Sequence, residues 1–343
     1  MTVLPPPKSG SAPTTASIAN PDPQAWLRFH HPAVRDLAFA LASPPLLAAW
    51  PNDLQPTLPV DLFSVDFWHS QYLRYLPRLL ALDVDPSALD HALAAVASTR
   101  LGVRFETLLS FWLKDKSSDW HDFVLLAQNI QLKDHKRTIG EMDFLIHNQD
   151  TDEIEHWELS LKFYLGEAGL APFDWRGLND RDSFGRKIKH TLSHQFNVHE
   201  VDHPLLGRYP INKRRAVFKG RLFYPAADHY SAADLAATQS WLHPDHLRGS
   251  WGYHLPVQLD WRRAARREWL TPTAIRAADC VLRYLSHGLY LGYPPLHPDS
   301  VDMPPVERMI RVMPRRAPYL AAFYARLHAP KSARTSPIAI AEI

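Results

Sequence analysis

The sequence predicts an α/β protein whose core follows the order αβββαβ around a mixed sheet, with helical additions at the N- and C-terminal ends. Three observations predict it. Residues 139–166, IGEMDFLIHNQDTDEIEHWELSLKFYLG, alternate with period two on either side of a polar turn and read as two consecutive strands. A stretch with helical spacing precedes them, and a second helical pattern, with Phe184, Ile188, Leu192 and Phe196 four residues apart, follows. The run AVFKGRLFY over 216–224 then returns the chain to the sheet.

Taken in order, residues 1–24 are rich in Pro, Ser, Ala and Thr, cannot bury enough apolar surface to offset ordering, and read as a flexible tail. Residues 25–84 read as a helical cap. Apolar residues recur with helical spacing over 33–50 and 65–80, and Pro44, Pro45, Pro51, Pro59 and Pro77 divide them into short helices. Asp85 and Pro86 suit an N-cap and first turn, opening one long helix that runs to about Lys114 with Gly102 as its weak point. Residues 122–132, DFVLLAQNIQL, supply the first of the three strands, and the second helix spans about 182–196. The core thus occupies 85–225 as an antiparallel meander followed by a crossover. Residues 226–330 read as a C-terminal helical lobe, with helical pieces over 232–242, 261–270, 274–285 and 318–327, and residues 331–343 as a loose tail.

Composition narrows the function classes. A chain of 343 residues is long for one compact core, so a core with added parts is expected. No apolar run approaches the roughly 18 residues of a membrane span, and the N-terminus lacks a basic start followed by an apolar segment, so neither a membrane partner nor a secretory signal is expected. The single Cys280 excludes an internal disulfide framework and fits a reducing cytoplasm. The net charge of +2 hides an asymmetry: residues 1–199 hold 18 Lys and Arg against 24 Asp and Glu, while residues 200–343 hold 20 against 12. An acidic half able to hold cations precedes a basic half able to meet phosphates, although unevenly solvated charge accounts for the same counts. Gly-x-Gly-x-x-Gly, Walker and Gly-x-Ser-x-Gly signatures are absent, leaving dinucleotide redox, nucleotide hydrolysis and serine esterase chemistry without support.

The legible chemistry lies on the two central strands. Alternation puts Glu141, Asp143 and Leu145 on one side of the first, and Met142, Phe144 and Ile146 on the other. On the second, His156, Glu158, Ser160, Lys162 and Tyr164 face one way, while Trp157, Leu159, Leu161, Phe163 and Leu165 form an apolar surface to bury. A symmetric turn across HNQDTDE sets Asp143 opposite Glu158 and Glu141 opposite Ser160. Opposed residues have Cβ atoms about 5 Å apart, close enough for both carboxylates to hold one divalent cation. A hard cation such as Mg²⁺ or Mn²⁺ would relieve their repulsion, and Lys162 would steady a nucleophile or a developing negative charge. A polar sheet face turned to water accounts for the same residues, but helices on both sides would leave buried charges that must coordinate something.

Glu106 in LGVRFETLLSFWL, Gly-Glu-Met-Asp at 140–143 and Trp-Glu-Leu-Ser-Leu-Lys at 157–162, in this order of elements, resemble the PD-(D/E)XK nuclease superfamily. Within it the chain looks like a bacterial family of uncharacterised proteins, through GEMDFLI, HWELSLKFYLG, KGRLFYP and HPDHLRGSWG as well. The resemblance implies a restriction-endonuclease-like core, hydrolysis of DNA or RNA phosphodiesters, and catalytic residues Asp143, Glu158, Lys162 and Glu106, with metal ligands drawn from Asp143, Glu158, Glu141 and Glu106. One departure matters. The superfamily places its second acid two residues before the lysine, and here Ser160 stands there, with Glu158 four residues before. At roughly 3.3 Å per residue the acid and lysine Cα atoms are then about 13 Å apart rather than about 6.6 Å. Either altered pairing or Glu141 restores the geometry, or the fold binds nucleic acid or a protein partner without cleaving.

Further basic residues read as substrate contacts. Lys187, Lys189 and Gln195 lie on the helix after the motif, where related nucleases approach the substrate backbone. Arg262, Arg263, Arg266 and Arg267 form a basic helical stripe beside Trp261 and Trp269, suited to phosphates with base stacking. A solvated helix face accounts for either set. His190 and His194 are four apart, as zinc ligands can be, but no further ligand follows at a metalloenzyme spacing.

Overall fold

The longest strand pairing in the molecule is parallel and joins residues far apart in sequence: eleven register pairs run from Glu155↔Lys213 to Leu165↔Phe223. The computed structural model describes residues 24–310, apart from 116–119, 135–136, 168, 180, 204–206, 226–238, 256–259, 273–287 and 294–305. Helix α1 spans Pro32–Ala42, the short strand β1 Asp61–Leu62, and helices α2, α3 and α4 span Val65–Val84, Ser87–Ala94 and Leu101–Lys114. Strands β2 (Phe123–Asp134), β3 (Arg137–Asn148) and β4 (Glu153–Gly166) follow, then β5 (Trp175–Arg176), helix α5 (Phe184–His190), strands β6 (Glu200–His203) and β7 (Gly207–Pro210), and β8 (Lys213–Pro225). Strands β9 (Arg248–Gly252), β10 (Asp260–Arg263), β11 (Gly288–Tyr293) and β12 (Val306–Ile310) complete the described chain. The main sheet has the order β10-β11-β12-β9-β8-β4-β3-β2, with β1 on β8 and β5 on β4.

The order α4-β2-β3-β4-α5-β8 is the αβββαβ sequence of elements. Strands β2, β3 and β4 pair antiparallel, and the chain crosses over through α5 to lay β8 parallel to β4. Helices cover both faces of this sheet. On one, Phe39, Trp68, Phe105 and Trp112 from α1, α2 and α4 pack with Trp157, Leu159, Leu161 and Val217. On the other, Phe184, Ile188, Leu192 and Phe196 pack with Tyr164, Phe218 and Leu222, so the apolar stripe on the second helix is the one the four-residue spacing predicts. Gly220 fixes how closely β8 approaches β4. Its φ is +132°, and a Cβ there would collide with the main-chain carbonyl of Lys162.

Four expectations need correction. Pro77 does not divide its helix: α2 runs 20 residues through it. An interior proline costs about 3 kcal/mol, and burial of Trp68, Tyr72, Tyr75, Leu79 and Leu82 offsets that. The single helix expected over 85–114 is two, α3 and α4. The break carries Val96, Ser98 and Thr99, and the Ser98 hydroxyl accepts the Arg100 N–H at 3.2 Å, the local side-chain bond that competes with helix. Residues 261–270 are not a helix but the end of β10 and a short 3-10 turn over Arg266–Trp269. A four-residue strand is too short to show a period, and its partner β11 is distant in sequence. Finally, alternation in β3 breaks: Met142 packs with Leu145 rather than with Phe144 and Ile146. The helices expected over 274–285 and 318–327, most of 232–242, and the two tails except Gln24 lie outside the described residues. Among the described residues, no helix is long and apolar enough to cross a membrane.

Candidate active site

The break in β3 falls at Asp143. The β3–β4 ladder pairs Asn148↔Glu153 through Phe144↔Trp157, and extending that register sets Asp143 opposite Glu158, as the symmetric turn predicts. The main-chain pairing stops there. Instead, the Leu159 N–H donates to Asp143 Oδ2 at 2.6 Å, so a side chain replaces a strand carbonyl. On the β2 side, Asn129 lies between the pairs Gln128↔Phe144 and Ile130↔Met142 and adopts φ +55°. An irregularity on both sides of one residue re-aims its side chain.

Glu158 is 2% exposed and held from two directions. His156 Nε2 lies 2.7 Å from its Oε1, and Gln195 Nε2 donates to its Oε2. Gln195 in turn accepts at Oε1 from Lys187 Nζ at 3.0 Å and from Thr191 Oγ1 at 2.7 Å. A π turn over Thr191–Gln195 continues α5 and gives Gln195 this position. The amide relays between an amine that only donates and a carboxylate that accepts. His156, fully buried against the Phe196 ring, is pushed down to about 3 by burial and then by the charge of Arg214, so it is a neutral imidazole. Its Nδ1 and the Ser160 hydroxyl are buried without a hydrogen-bond partner.

Charge in this cluster is poorly balanced. Burial, then the neighbouring Glu158 charge, pushes Asp143 up to about 8. Burial also raises Glu158, with Lys187 and the contact with Asp143 opposing it. Glu106 on α4 is pushed up to about 7 by burial, then by Asp143 and Glu141, with Lys187 opposing. Lys187 is lowered by burial despite the attraction of Glu158, Asp143 and Glu106. Three carboxyl groups therefore crowd around one amine. A cavity of about 340 Å³ opens beside Glu106, walled also by Asn129, Phe144, Gln128 and Lys114.

The sequence-predicted residues divide accordingly. Asp143, Glu158 and Glu106 come together. Glu141 is exposed, across from Gln131, and acts on Glu106 and Asp143 through its charge. Lys162 pairs with Asp182, its Nζ 3.2 Å from Oδ2, where Tyr164 also donates to Oδ1 at 3.1 Å, and it reaches Lys187 through its charge. The amine among the carboxylates is Lys187, which the sequence reading took for a substrate-backbone contact. A signal was present: Lys187, Thr191 and Gln195 are spaced by four, a polar stripe flanking the apolar one. Lys189 is exposed. The arginine stripe is corrected in part. Arg262 is buried and ion-paired with Glu268 at 2.8 Å, Arg263, Arg266 and Arg267 are exposed, and Trp261 and Trp269 are buried and offer no stacking surface. His190 and His194 stack on one another with centroids 4.9 Å apart.

Among the described residues, no group of three or more His, Cys, Asp or Glu side chains is arranged to hold a metal ion. Mg²⁺ asks for less. It commonly keeps several waters and is held by one or two carboxylates together with substrate phosphates, and Asp143 and Glu158, adjacent across the strand break, are the residues that could serve.

Fold and site together define an α/β protein with a half-buried cluster of acids and an amine at the point where two central strands stop pairing. Residues 35–289 match the family model described as Domain of unknown function (DUF1853), more than half of the chain, and the chain belongs to that family. No curated protein and no solved structure matches it.

Proposed function

We propose that this protein is a metal-dependent nuclease that hydrolyses DNA or RNA phosphodiester bonds, with a restriction-endonuclease-like core related to the PD-(D/E)XK superfamily. The observation that carries the reading is geometric: Asp143 accepts the Leu159 N–H at 2.6 Å beside Glu158, and Glu158 is held by His156 and by Gln195, which links it to Lys187; burial raises both acids, and Glu106 with them. The antiparallel meander, the α5 crossover and a parallel β8 support the core assignment.

Asp143 and Glu158 would hold Mg²⁺ or Mn²⁺, which supplies polarisation of a phosphoryl oxygen and acidification of a bound water. Glu106, poised near neutrality, accepts the proton of the attacking water. Lys187 donates to the phosphoryl oxygens as their charge grows, the role the sequence reading gave to Lys162. Gln195 and His156 keep Glu158 oriented. Water oxygen bonds to phosphorus as the alkoxide leaves.

Incubation with plasmid, linear duplex and single-stranded substrates in Mg²⁺ or Mn²⁺ tests this. Native protein is expected to cleave at least one, with Asp143→Asn reducing the rate by about 10²-fold or more. Cleavage indifferent to that substitution would remove the site assignment. A second reading, a nucleic-acid or protein binding module without chemistry, draws on Ser160 at the acid position and on the lack, among the described residues, of a three-ligand group. It requires binding with no cleavage of any substrate.

A further inference from the structure

A second cavity, of about 370 Å³, lies along α4, between the 95–100 break and the turn at Ala265–Arg267. Its lining includes three arginines, Arg104, Arg266 and Arg267, and among the described residues none that lines it is acidic. Arg104 is fixed from behind: its Nε donates to the buried Asp36 at 2.7 Å, and Thr271 holds the other oxygen of that carboxylate at 2.6 Å. Arg266 lies over the Trp269 ring at 4.5 Å. Among the described residues neither Arg266 nor Arg267 makes an ion-pair contact: Glu268, their neighbour in sequence, is held by Arg262 through two contacts of 3.0 and 2.8 Å, and Arg267 acts on it only through its charge. Below the arginines the floor is apolar, formed by Leu93, Val96 and Leu101.

Positive charge gathered over an apolar floor selects a ligand with both an anionic group and a flat or apolar body. Guanidinium groups recognise phosphate through paired N–H donors, and a sugar or base supplies the apolar body. We propose that this cavity binds one nucleotide unit, its phosphate on Arg266, Arg267 and the free end of Arg104, and its sugar or base on Leu93, Val96 and Leu101. Val96 and Thr107 line both this cavity and the one beside Glu106, so a strand seated here continues toward Glu106. The choice of a nucleotide rests on the nuclease reading, whereas the demand for an anion does not.

The test is equilibrium binding of adenosine 5′-monophosphate, adenosine and a phosphotyrosine peptide to the full chain without divalent cation. Native protein is expected to bind the monophosphate and not adenosine, and Arg266→Ala/Arg267→Ala to bind it about tenfold more weakly or worse, with Arg266→Lys/Arg267→Lys recovering part. Arg267→Glu, an exposed single change, should weaken binding as strongly. Unchanged affinity in the Ala variant and in Arg267→Glu, equal binding of adenosine, or a preference for the phosphopeptide overturns the proposal. Cleavage separates the two readings. Loss of monophosphate binding beside cleavage that ignores Asp143→Asn supports the cavity and ends the nuclease site; the reverse ends the cavity alone.

Discussion

Glu155 and Glu158 are both buried on β4, three residues apart, and they face opposite sides of the sheet. Glu155 is satisfied. Arg215 Nε donates to its Oε2 at 2.7 Å, Trp157 Nε1 to the same oxygen at 2.6 Å, and Asn148 Nδ2 to Oε1 at 3.0 Å. Glu158 has a neutral histidine, an amide, an adjacent carboxylate and an amine reached only through that amide. Buried Lys219 and half-buried Lys187 differ in the same way. Lys219, on the Glu155 side, donates to the Ala40 and Leu41 carbonyls at 2.7 and 3.0 Å and lies 3.8 Å from the centroid of the Trp68 ring, closing the C-terminal end of α1. Lys187 sits among acids that burial has raised. Burial alone therefore does not mark a functional group; a buried group whose neighbours leave its charge unbalanced does.

The sharpest break of this contrast is in stability. Glu155→Ala leaves Arg215 without its carboxylate and is expected to cost about 3–5 kcal/mol in denaturant unfolding, whereas Glu158→Gln should be nearly neutral or stabilising. Equal losses at both positions would erase the distinction. Next in size is the pair of lysines. Lys187→Met is expected to lower cleavage by about 10²-fold, Lys162→Met by only a few-fold because its partner is Asp182, as single-turnover rates will show. The reverse ranking would return the catalytic role to Lys162.

The smallest effect is in pH dependence. Asp143 and Glu106 are raised in the folded chain, so both bind protons more tightly folded than unfolded. Their contribution to stability is intact below the unfolded values near 4 and is lost as pH climbs to about 7 for Glu106 and about 8 for Asp143. Metal-free protein should lose roughly 1–3 kcal/mol over that window through Asp143, and Asp143→Asn should flatten the loss in thermal or urea unfolding at fixed ionic strength. A slope unchanged by the substitution would place that carboxyl outside the crowded cluster.

Much of this arrangement was readable in the chain. The hairpin register followed from turn symmetry, and the α5 stripe and the crossover followed from spacing. The opposition of Asp143 and Glu158 was legible in the alternation of two strands joined by a symmetric turn, and Glu106 stood out as a carboxylate among the apolar residues of a helix. Lys187 was misplaced because a lysine beside an apolar stripe resembles an edge residue, and only the π turn and Gln195 reveal where its amine goes. Strand β10 was hidden because WRRAARREWL repeats charge at helical spacing while its partner β11 lies well downstream.

Metal binding tests the central claim without requiring the right substrate. Titration of Mn²⁺ into native protein near pH 7, followed by electron paramagnetic resonance and by the protons released, should show one bound ion, with displacement of protons from Asp143 and Glu158 and affinity at least about tenfold lower in Asp143→Asn. No binding at millimolar Mn²⁺, or binding that Asp143→Asn leaves unchanged, would contradict the account.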